Sequence, residues 1–245
     1  MNSGIILFAH MGLSSLYPAN TLIALEKALD YPVDGIEFDL HPTKDGRIVA
    51  CHDDTVDRTS TGSGLIREKT FQELRELDFG IWKGPEHAGT KIPEFREILD
   101  MAQAKRPGTL LNVEIKEYEE TCIRTILEEL KKRSLLEQSA IISWIPEVLF
   151  LVHTLCPEIP THGFELQEGV LPEEKSKEYY SMIRRIGFHH TRITGEIVKK
   201  YHDLGIRVDV WAPDDKETYE RVAAMNVDSI TTNAAHIITR VAGRI

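Results

Sequence analysis

Cysteine is scarce in this sequence: its 245 residues include only three, Cys51, Cys122 and Cys156. Three widely separated cysteines form neither a disulfide framework nor the paired spacing of a structural zinc site. The first residues also lack the basic segment followed by an apolar segment that is typical of a secretory signal. We therefore expect three reduced thiols in a cytoplasmic protein.

Basic residues are outnumbered as well. The 29 lysines and arginines face 39 aspartates and glutamates, which gives a net charge of −10. An acidic chain of this kind is a poor partner for nucleic acid or for an anionic membrane surface. No apolar run approaches the roughly 20 residues that a membrane span needs, so we expect no stable membrane anchor. An acidic protein that handles a small anionic substrate would need a cation in its binding site.

No linker, repeat or change of composition divides the chain, and we expect one domain over residues 1–245. Eight short apolar runs alternate with longer segments of helical period. The runs cover residues 5–9, 35–40, 109–115, 139–144, 160–164, 185–190, 206–211 and 228–232. Eight strands with helical connections, at this length, predict an α/β fold of the (β/α)8 TIM barrel type. A doubly wound open sheet is the alternative, but no glycine-rich phosphate loop follows the first strand.

One connection departs from this alternation. After the second strand, another extended run follows Asp45-Gly46 directly, and Asp-Gly between two such runs is typical of a type I′ hairpin turn. A two-residue loop would place Asp39 opposite His52, on one face of the hairpin. With the glycine-rich segment that follows, we expect residues 41–90 to form a hairpin and a small insertion on the active face.

Carboxylates occupy the ends of two predicted strands, which is where (β/α)8 enzymes carry their chemistry. Glu37 and Asp39 end the second strand, and Glu114 ends the next barrel strand. Residues two apart in a strand point to the same face, so we expect the three acids to converge. Three ionised acids in one place need either protons or a bound cation. An all-oxygen ligand set suits Mg²⁺ or Ca²⁺ rather than zinc.

Two histidines and a lysine are predicted beside these acids. His10 ends the first strand, His52 ends the hairpin, and Lys116 follows Glu114 at same-face spacing. Histidine titrates near neutral pH and is suited to general acid–base catalysis. Lys116 can balance the charge of an anion. This set of residues favours metal-assisted cleavage of a phosphate ester.

Six short motifs follow one another along the chain. They are A-H-M-G at 9–12, P-A-N-T at 18–21, I-E-F-D-L at 36–40, T-K-D-G at 43–46, H-D at 52–53 and E-I-K at 114–116. In this order they resemble the glycerophosphodiester phosphodiesterases of the soluble bacterial type. The resemblance implies a (β/α)8 barrel that uses a divalent metal to hydrolyse glycerophosphodiesters to glycerol 3-phosphate and an alcohol. It also implies metal ligation by Glu37, Asp39 and Glu114, acid–base catalysis by His10 and His52, a phosphate or site-shaping contact by Lys116, and a pocket wall formed by Trp211.

Two departures from the family pattern lie in the first two motifs, and W-A-P at 211–213 and T-T-N at 231–233 differ from the family near the end of the barrel. Met11 replaces the arginine of the usual H-R-G, which contacts phosphate, and Ala19 replaces the glutamate of the usual P-E-N-T. Methionine supplies neither a charge nor a forked donor. Two alternatives follow: a phosphodiesterase with a shifted substrate, such as a lysophospholipid, or a weakly active or non-catalytic binding barrel. Arg58, in the loop after His52, is a candidate for part of the missing arginine's role. The motifs do not assign acid and base between the two histidines.

Overall fold

The alternating strands and helices form a barrel in the computed structural model, which describes residues 4–245. Among the strands of this part of the chain, β3 pairs antiparallel with β2, and all other strand pairs are parallel. The strands are β1 (Ile6–His10), β2 (Gly35–Pro42), β3 (Ile48–Ala50), β4 (Leu110–Ile115), β5 (Ser139–Ile142), β6 (Thr161–Phe164), β7 (Arg185–His189), β8 (Arg207–Trp211) and β9 (Ser229–Thr232).

Strand pairing closes the sheet on itself. The order is β1-β9-β8-β7-β6-β5-β4-β2, and β1 pairs with β2 to complete a ring of eight parallel strands. This ring confirms the predicted (β/α)8 architecture. The register sets Glu37 beside His10, the last residue of β1, and sets Asp39 beside Glu114, near the carboxyl end of β4.

Helices surround the ring and bury their apolar sides against it. Helix α4, for example, buries Ile123, Ile126 and Leu130 and exposes its charged side. The helices are α1 (Leu22–Ala28), α2 (Phe71–Glu76), α3 (Phe95–Lys105), α4 (Glu120–Lys132), α5 (Pro146–Leu155), α6 (Glu173–Met182), α7 (Gly195–Asp203), α8 (Lys216–Ala223) and α9 (Ala235–Val241). The sequence pattern had not indicated α9. No helix in residues 4–245 is long and apolar enough to cross a bilayer. The three cysteines are buried and free.

The hairpin of β2 and β3 forms, but its predicted register is wrong by one residue. Asp39 lies opposite Cys51, whose backbone N–H donates a 3.1 Å hydrogen bond to the Asp39 carbonyl. His52 therefore lies one residue beyond the partner of Asp39 and outside the paired strand. The proximity of His52 to the acids does not come from direct cross-strand pairing.

The reason for the shift is the length of the turn. Thr43 pairs with Arg47, so the loop has three residues instead of two, and its last residue, Gly46, adopts a φ of 74°. The Gly46 N–H donates to the Thr43 carbonyl. A three-residue loop with glycine in the left-handed region is an established alternative to the two-residue type I′ turn. Asp-Gly is compatible with both turns.

The segment after β3 packs around a small apolar core of its own. Its helix α2 begins with a capping box between Thr70 and Glu73. This core includes Val49 of β3 and so connects the insertion to that strand. His52 lies in the segment that leads from β3 into the insertion. The core residues are Val49, Cys51, Val56, Ile66, Leu74, Phe79 and Ile92.

Candidate active site

Three carboxylates on two adjacent barrel strands converge at the level where β1 and β4 end. Glu37 and Asp39 lie on β2, and Glu114 lies on β4 directly beside Asp39. One carboxylate oxygen from each residue lies within 4.8 Å of the others. All three side chains are buried. We call Glu37, Asp39 and Glu114 the carboxylate cluster.

Glu37 is the least satisfied member of the carboxylate cluster. Its Oε2 accepts a 2.9 Å hydrogen bond from the backbone N–H of Met11, whereas its buried Oε1 has no hydrogen-bond partner. Burial, together with the charges of Asp39 and Glu114, raises the pKa of Glu37 well above its usual range. The charged form of Glu37 therefore requires a further cation nearby.

Lys116 supplies one positive charge to the cluster. Its Nζ lies 2.8 Å from Asp39 Oδ1 and 2.6 Å from Glu114 Oε1. Burial and the Asp39 charge raise the pKa of Glu114. Burial also acts against ionisation of Asp39, but the Lys116 ammonium outweighs it and lowers the pKa of Asp39. Lys116 thus neutralises part of the cluster, and its direct contacts are with Asp39 and Glu114.

The cluster fits a divalent cation by charge and by chemistry. With all three acids ionised, Lys116 leaves a net charge of about −2, which one divalent cation would cancel. The donor atoms are all carboxylate oxygens, the ligands that Mg²⁺ and Ca²⁺ prefer. The unpartnered Oε1 of Glu37 is a buried acceptor that a cation would satisfy.

Asn20 holds Asp39 in place, a contact that sequence reasoning missed. The Asn20 side-chain N–H₂ donates to Asp39 Oδ2 at 2.7 Å, and its Oδ1 accepts from the Asp39 backbone N–H at 3.1 Å. Asn20 is buried and has a φ of 60°, in the left-handed region that asparagine tolerates. The P-A-N-T motif was the available signal, since Asn20 is its third residue.

His10 lies at the end of β1, where a residue from the far end of the chain orients it. Its Nδ1 is 2.8 Å from Asn233 Oδ1, and its Nε2 is 3.8 Å from Glu37 Oε2. Asn233 donates through its own side-chain N–H₂ to Asp214, so its oxygen must accept from His10 Nδ1–H. Burial lowers the pKa of His10. Neutral His10 therefore presents an unprotonated Nε2 toward the acids.

His52 lies on the other side of the same cavity and is more exposed. Its Nδ1 is 2.8 Å from Asp53 Oδ1, and Arg58 donates two hydrogen bonds to the Asp53 carboxylate. The Arg58 contact lowers the pKa of Asp53 to about 2. Arg58 therefore forms an ion pair with Asp53. The contact of Asp53 with His52 Nδ1 sets the orientation of the His52 ring.

An open cavity of about 410 Å³ joins these groups. His10, Glu37, His52, Glu114 and Lys116 form its polar side.

The opposite side of the cavity is aromatic. Trp211, the predicted wall, lines it together with Trp144 and Phe164, which sequence reasoning had not selected. Trp144 stacks on Phe164 at 3.6 Å between ring centroids and meets Trp211 edge-on at 5.8 Å. Trp144 remains 55% exposed, so this wall has free aromatic surface for a ligand. The cavity thus combines two histidines, buried carboxylates and an apolar wall.

The chain matches proteins of one enzyme family over nearly its whole length. The model of the glycerophosphoryl diester phosphodiesterase family matches residues 10–236. A glycerophosphodiester phosphodiesterase of Caldanaerobacter subterraneus is 32% identical over 240 residues, which is 93% of each chain. One from Bacillus altitudinis is 28% identical over 238 residues, covering 93% of this chain and 94% of that one. A solved phosphodiesterase structure from Oleispira antarctica, in complex with the product sn-glycerol-3-phosphate, has a TM-score of 0.86 and 26% identity, with 96% of both chains covered.

Proposed function

Because the chain belongs to the glycerophosphoryl diester phosphodiesterase family, it is a phosphoric diester hydrolase, and we propose that it cleaves its substrate with a divalent cation and two histidines. Its reaction is the hydrolysis of glycerophosphodiesters to glycerol 3-phosphate and an alcohol. Family membership argues against the non-catalytic binding barrel considered above. The observation that carries the mechanism is the buried carboxylate cluster between His10 and His52 in one cavity.

The carboxylate cluster would hold the cation. Its all-oxygen donor set supports Mg²⁺ or Ca²⁺. When bound, the cation would polarise a phosphoryl oxygen and offset the local negative charge that otherwise repels a phosphodiester. Lys116 contacts Asp39 and Glu114 and lines the cavity, where its ammonium would contact the phosphate.

The two histidines would carry the proton transfers. One ring accepts a proton from the attacking hydroxyl, which belongs to water or to the neighbouring glycerol oxygen, and the other ring donates a proton to the leaving alkoxide. Asn233 and Asp53 each contact the Nδ1 of one ring. Each histidine is therefore oriented through Nδ1, which leaves Nε2 for the substrate.

The aromatic side of the cavity supports a second candidate substrate. Trp144, Phe164 and Trp211 offer an apolar surface beside the acid–base groups. A diester with a larger apolar group, such as a lysophospholipid, would bury more of that surface than a small alcohol does. A panel of glycerophosphocholine, glycerophosphoethanolamine and lysophosphatidylcholine, each measured with and without chelator, would rank the candidates by kcat/KM.

Two variants test the mechanism, each with a matched control. Glu114→Gln and His52→Ala remove a cluster acid and a cavity histidine, whereas Glu128→Gln and His153→Ala change exposed helix residues of the same types. We expect the first pair to lose about 100- to 10,000-fold in kcat with glycerophosphocholine. The control pair should match the unmodified enzyme. Retained turnover in Glu114→Gln or His52→Ala would refute the assignment.

A further inference from the structure

A second cavity, of about 480 Å³, opens at the opposite end of the barrel, where the strands begin. We call it the lower cavity. Residues at the starts of β1 and β4 to β8 line it. Catalysis in (β/α)8 enzymes takes place at the carboxyl ends of the strands, so the proposed reaction does not use this space. Its volume lies within the range of small-molecule sites.

Polar side chains in the lower cavity lack partners. Asn112 is 1% exposed and His162 is 2% exposed, and both line the cavity. Asn112 Nδ2 and both ring nitrogens of His162 have no hydrogen-bond partner within residues 4–245. Buried polar groups are almost always hydrogen-bonded, so these atoms require an additional partner. His162 also borders the catalytic cavity and lies between the two spaces.

Three arginines give the lower cavity its charge. Arg185 is partly buried and donates from Nη1 to Asn112 Oδ1 at 3.2 Å, and Arg184 and Arg207 lie exposed at the rim. None of the three forms an ion pair with a carboxylate of the described chain, residues 4–245. The cavity lining contains one acid, Glu137, which is exposed. In a chain with a net charge of −10, this is a local excess of positive charge.

The protonation state of His162 is compatible with a donor role. Burial and the Arg185 charge lower the pKa of His162 well below its usual value, so its ring is neutral at physiological pH. A neutral imidazole has one N–H donor and one acceptor nitrogen. Asp209 and Asp228 attract Arg185 only from beyond ion-pair distance, so its guanidinium keeps free donors.

We propose that the lower cavity binds a small oxyanion, a phosphate or carboxylate group, on Arg185, Asn112 and His162, with Arg184 and Arg207 at its rim. Guanidinium groups bind such oxygens through paired N–H donors. The Asn112 Nδ2 and the His162 N–H add neutral donors at the buried side. One ligand of this kind would satisfy both the unpartnered polar atoms and the unpaired charge.

Titration of inorganic phosphate into chelator-treated full-length protein, followed by calorimetry, tests the proposal. A Lys116→Met background removes the one lysine or arginine that lines the catalytic cavity, and circular dichroism must first show that this variant is folded. In that background, the double variant Arg184→Gln/Arg207→Gln should bind phosphate about tenfold more weakly or worse. The matched double variant Arg124→Gln/Arg240→Gln changes two exposed arginines outside the lower cavity and should bind normally. All four arginines are exposed, so folding should be preserved.

Three results would overturn the proposal. The first is that the Lys116→Met protein binds no phosphate, and the second is that both double variants bind phosphate equally. The third is that a phosphate-soaked crystal shows an adventitious ion only, at positions outside the lower cavity. Hydrolysis of glycerophosphocholine by Arg184→Gln/Arg207→Gln is expected to equal that of the unmodified enzyme. The proposal and the catalytic mechanism can therefore fail independently.

Discussion

Replacing Glu37 with glutamine should make the metal-free protein more stable and the enzyme inactive. Glu37 is 3% exposed, accepts one hydrogen bond from Met11, and has no partner at Oε1. Glutamine has nearly the same shape, keeps the acceptor for the Met11 N–H, and gains an N–H₂ that can donate to a neighbouring carboxylate. The substitution therefore removes an unfavourable buried acid without leaving a cavity.

The size of the gain follows from the cost of an unsatisfied buried group. That cost is about 1–3 kcal/mol, and more for a charged group. For a chain of this length each kcal/mol corresponds to about 2–4 °C in Tm, so the rise should be about 2–12 °C. The gain should be larger at pH 8 than at pH 5, because the raised pKa of Glu37 makes its burial more unfavourable as pH rises.

The assay is thermal unfolding at pH 8, first in chelator and then with saturating Mg²⁺ or Ca²⁺. A ligand that binds only the native state raises stability, so metal should raise the Tm of the unmodified protein. Glu37→Gln should gain little from metal. The order of the two proteins should therefore reverse between the two conditions.

The control is Glu94, another buried glutamate, whose carboxylate pairs with Arg47 through two hydrogen bonds. Glu94→Gln should destabilise the protein in chelator and in metal alike, because it breaks a satisfied pair. If Glu37→Gln also lowered the Tm in chelator, the carboxylate cluster would not be under electrostatic strain, and the reasoning would be wrong.

Three further predictions concern the same end of the barrel. Metal-free protein should lose stability as pH rises from about 5 to 8. The reason is that Glu37 and Glu114, with raised pKa values, keep protons in the native state that the unfolded chain releases. Denaturant melts at several pH values measure this loss, which bound metal should reduce. Asp53→Asn should lower kcat by about 10- to 100-fold without weakening metal binding by calorimetry, since Asp53 orients His52 and is not in the carboxylate cluster; unchanged kcat would show that this contact is dispensable. Trp144→Ala should raise KM by about tenfold with little change in kcat or Tm, because the exposed ring contributes apolar surface to the cavity; an equal fall in kcat would contradict a binding role.

The strands and the carboxylate cluster were predictable because both depend on local patterns. Strands of a closed parallel barrel are buried, so they appear as short apolar runs, and their ends were placed within a residue or two. Because side chains two residues apart in a strand share a face, the sequence alone predicted that Glu37 and Asp39 point in one direction. Neighbouring strands end at one rim, which brings Glu114 to the same point.

Other features depend on geometry that no local pattern reveals. Asp-Gly permits both a two-residue and a three-residue turn, and only the pairing of Thr43 with Arg47 decides between them. Asn233 contacts His10 across 223 residues of sequence. Trp144 and Trp211 are in contact because the ends of their strands lie on one side of the cavity. Their wide separation in the sequence gives no sign of this contact.

The contact between His10 and Asn233 has a consequence for the order in which the enzyme matures. The acids of β2 and β4 can come together once the first half of the chain has been synthesised, whereas the imidazole of β1 obtains its acceptor only when β9 docks beside it. A nascent or C-terminally shortened chain would therefore acquire its cation site before it acquires an oriented histidine. On the proposed mechanism, closure of the barrel by β9 would complete the pair of oriented histidines.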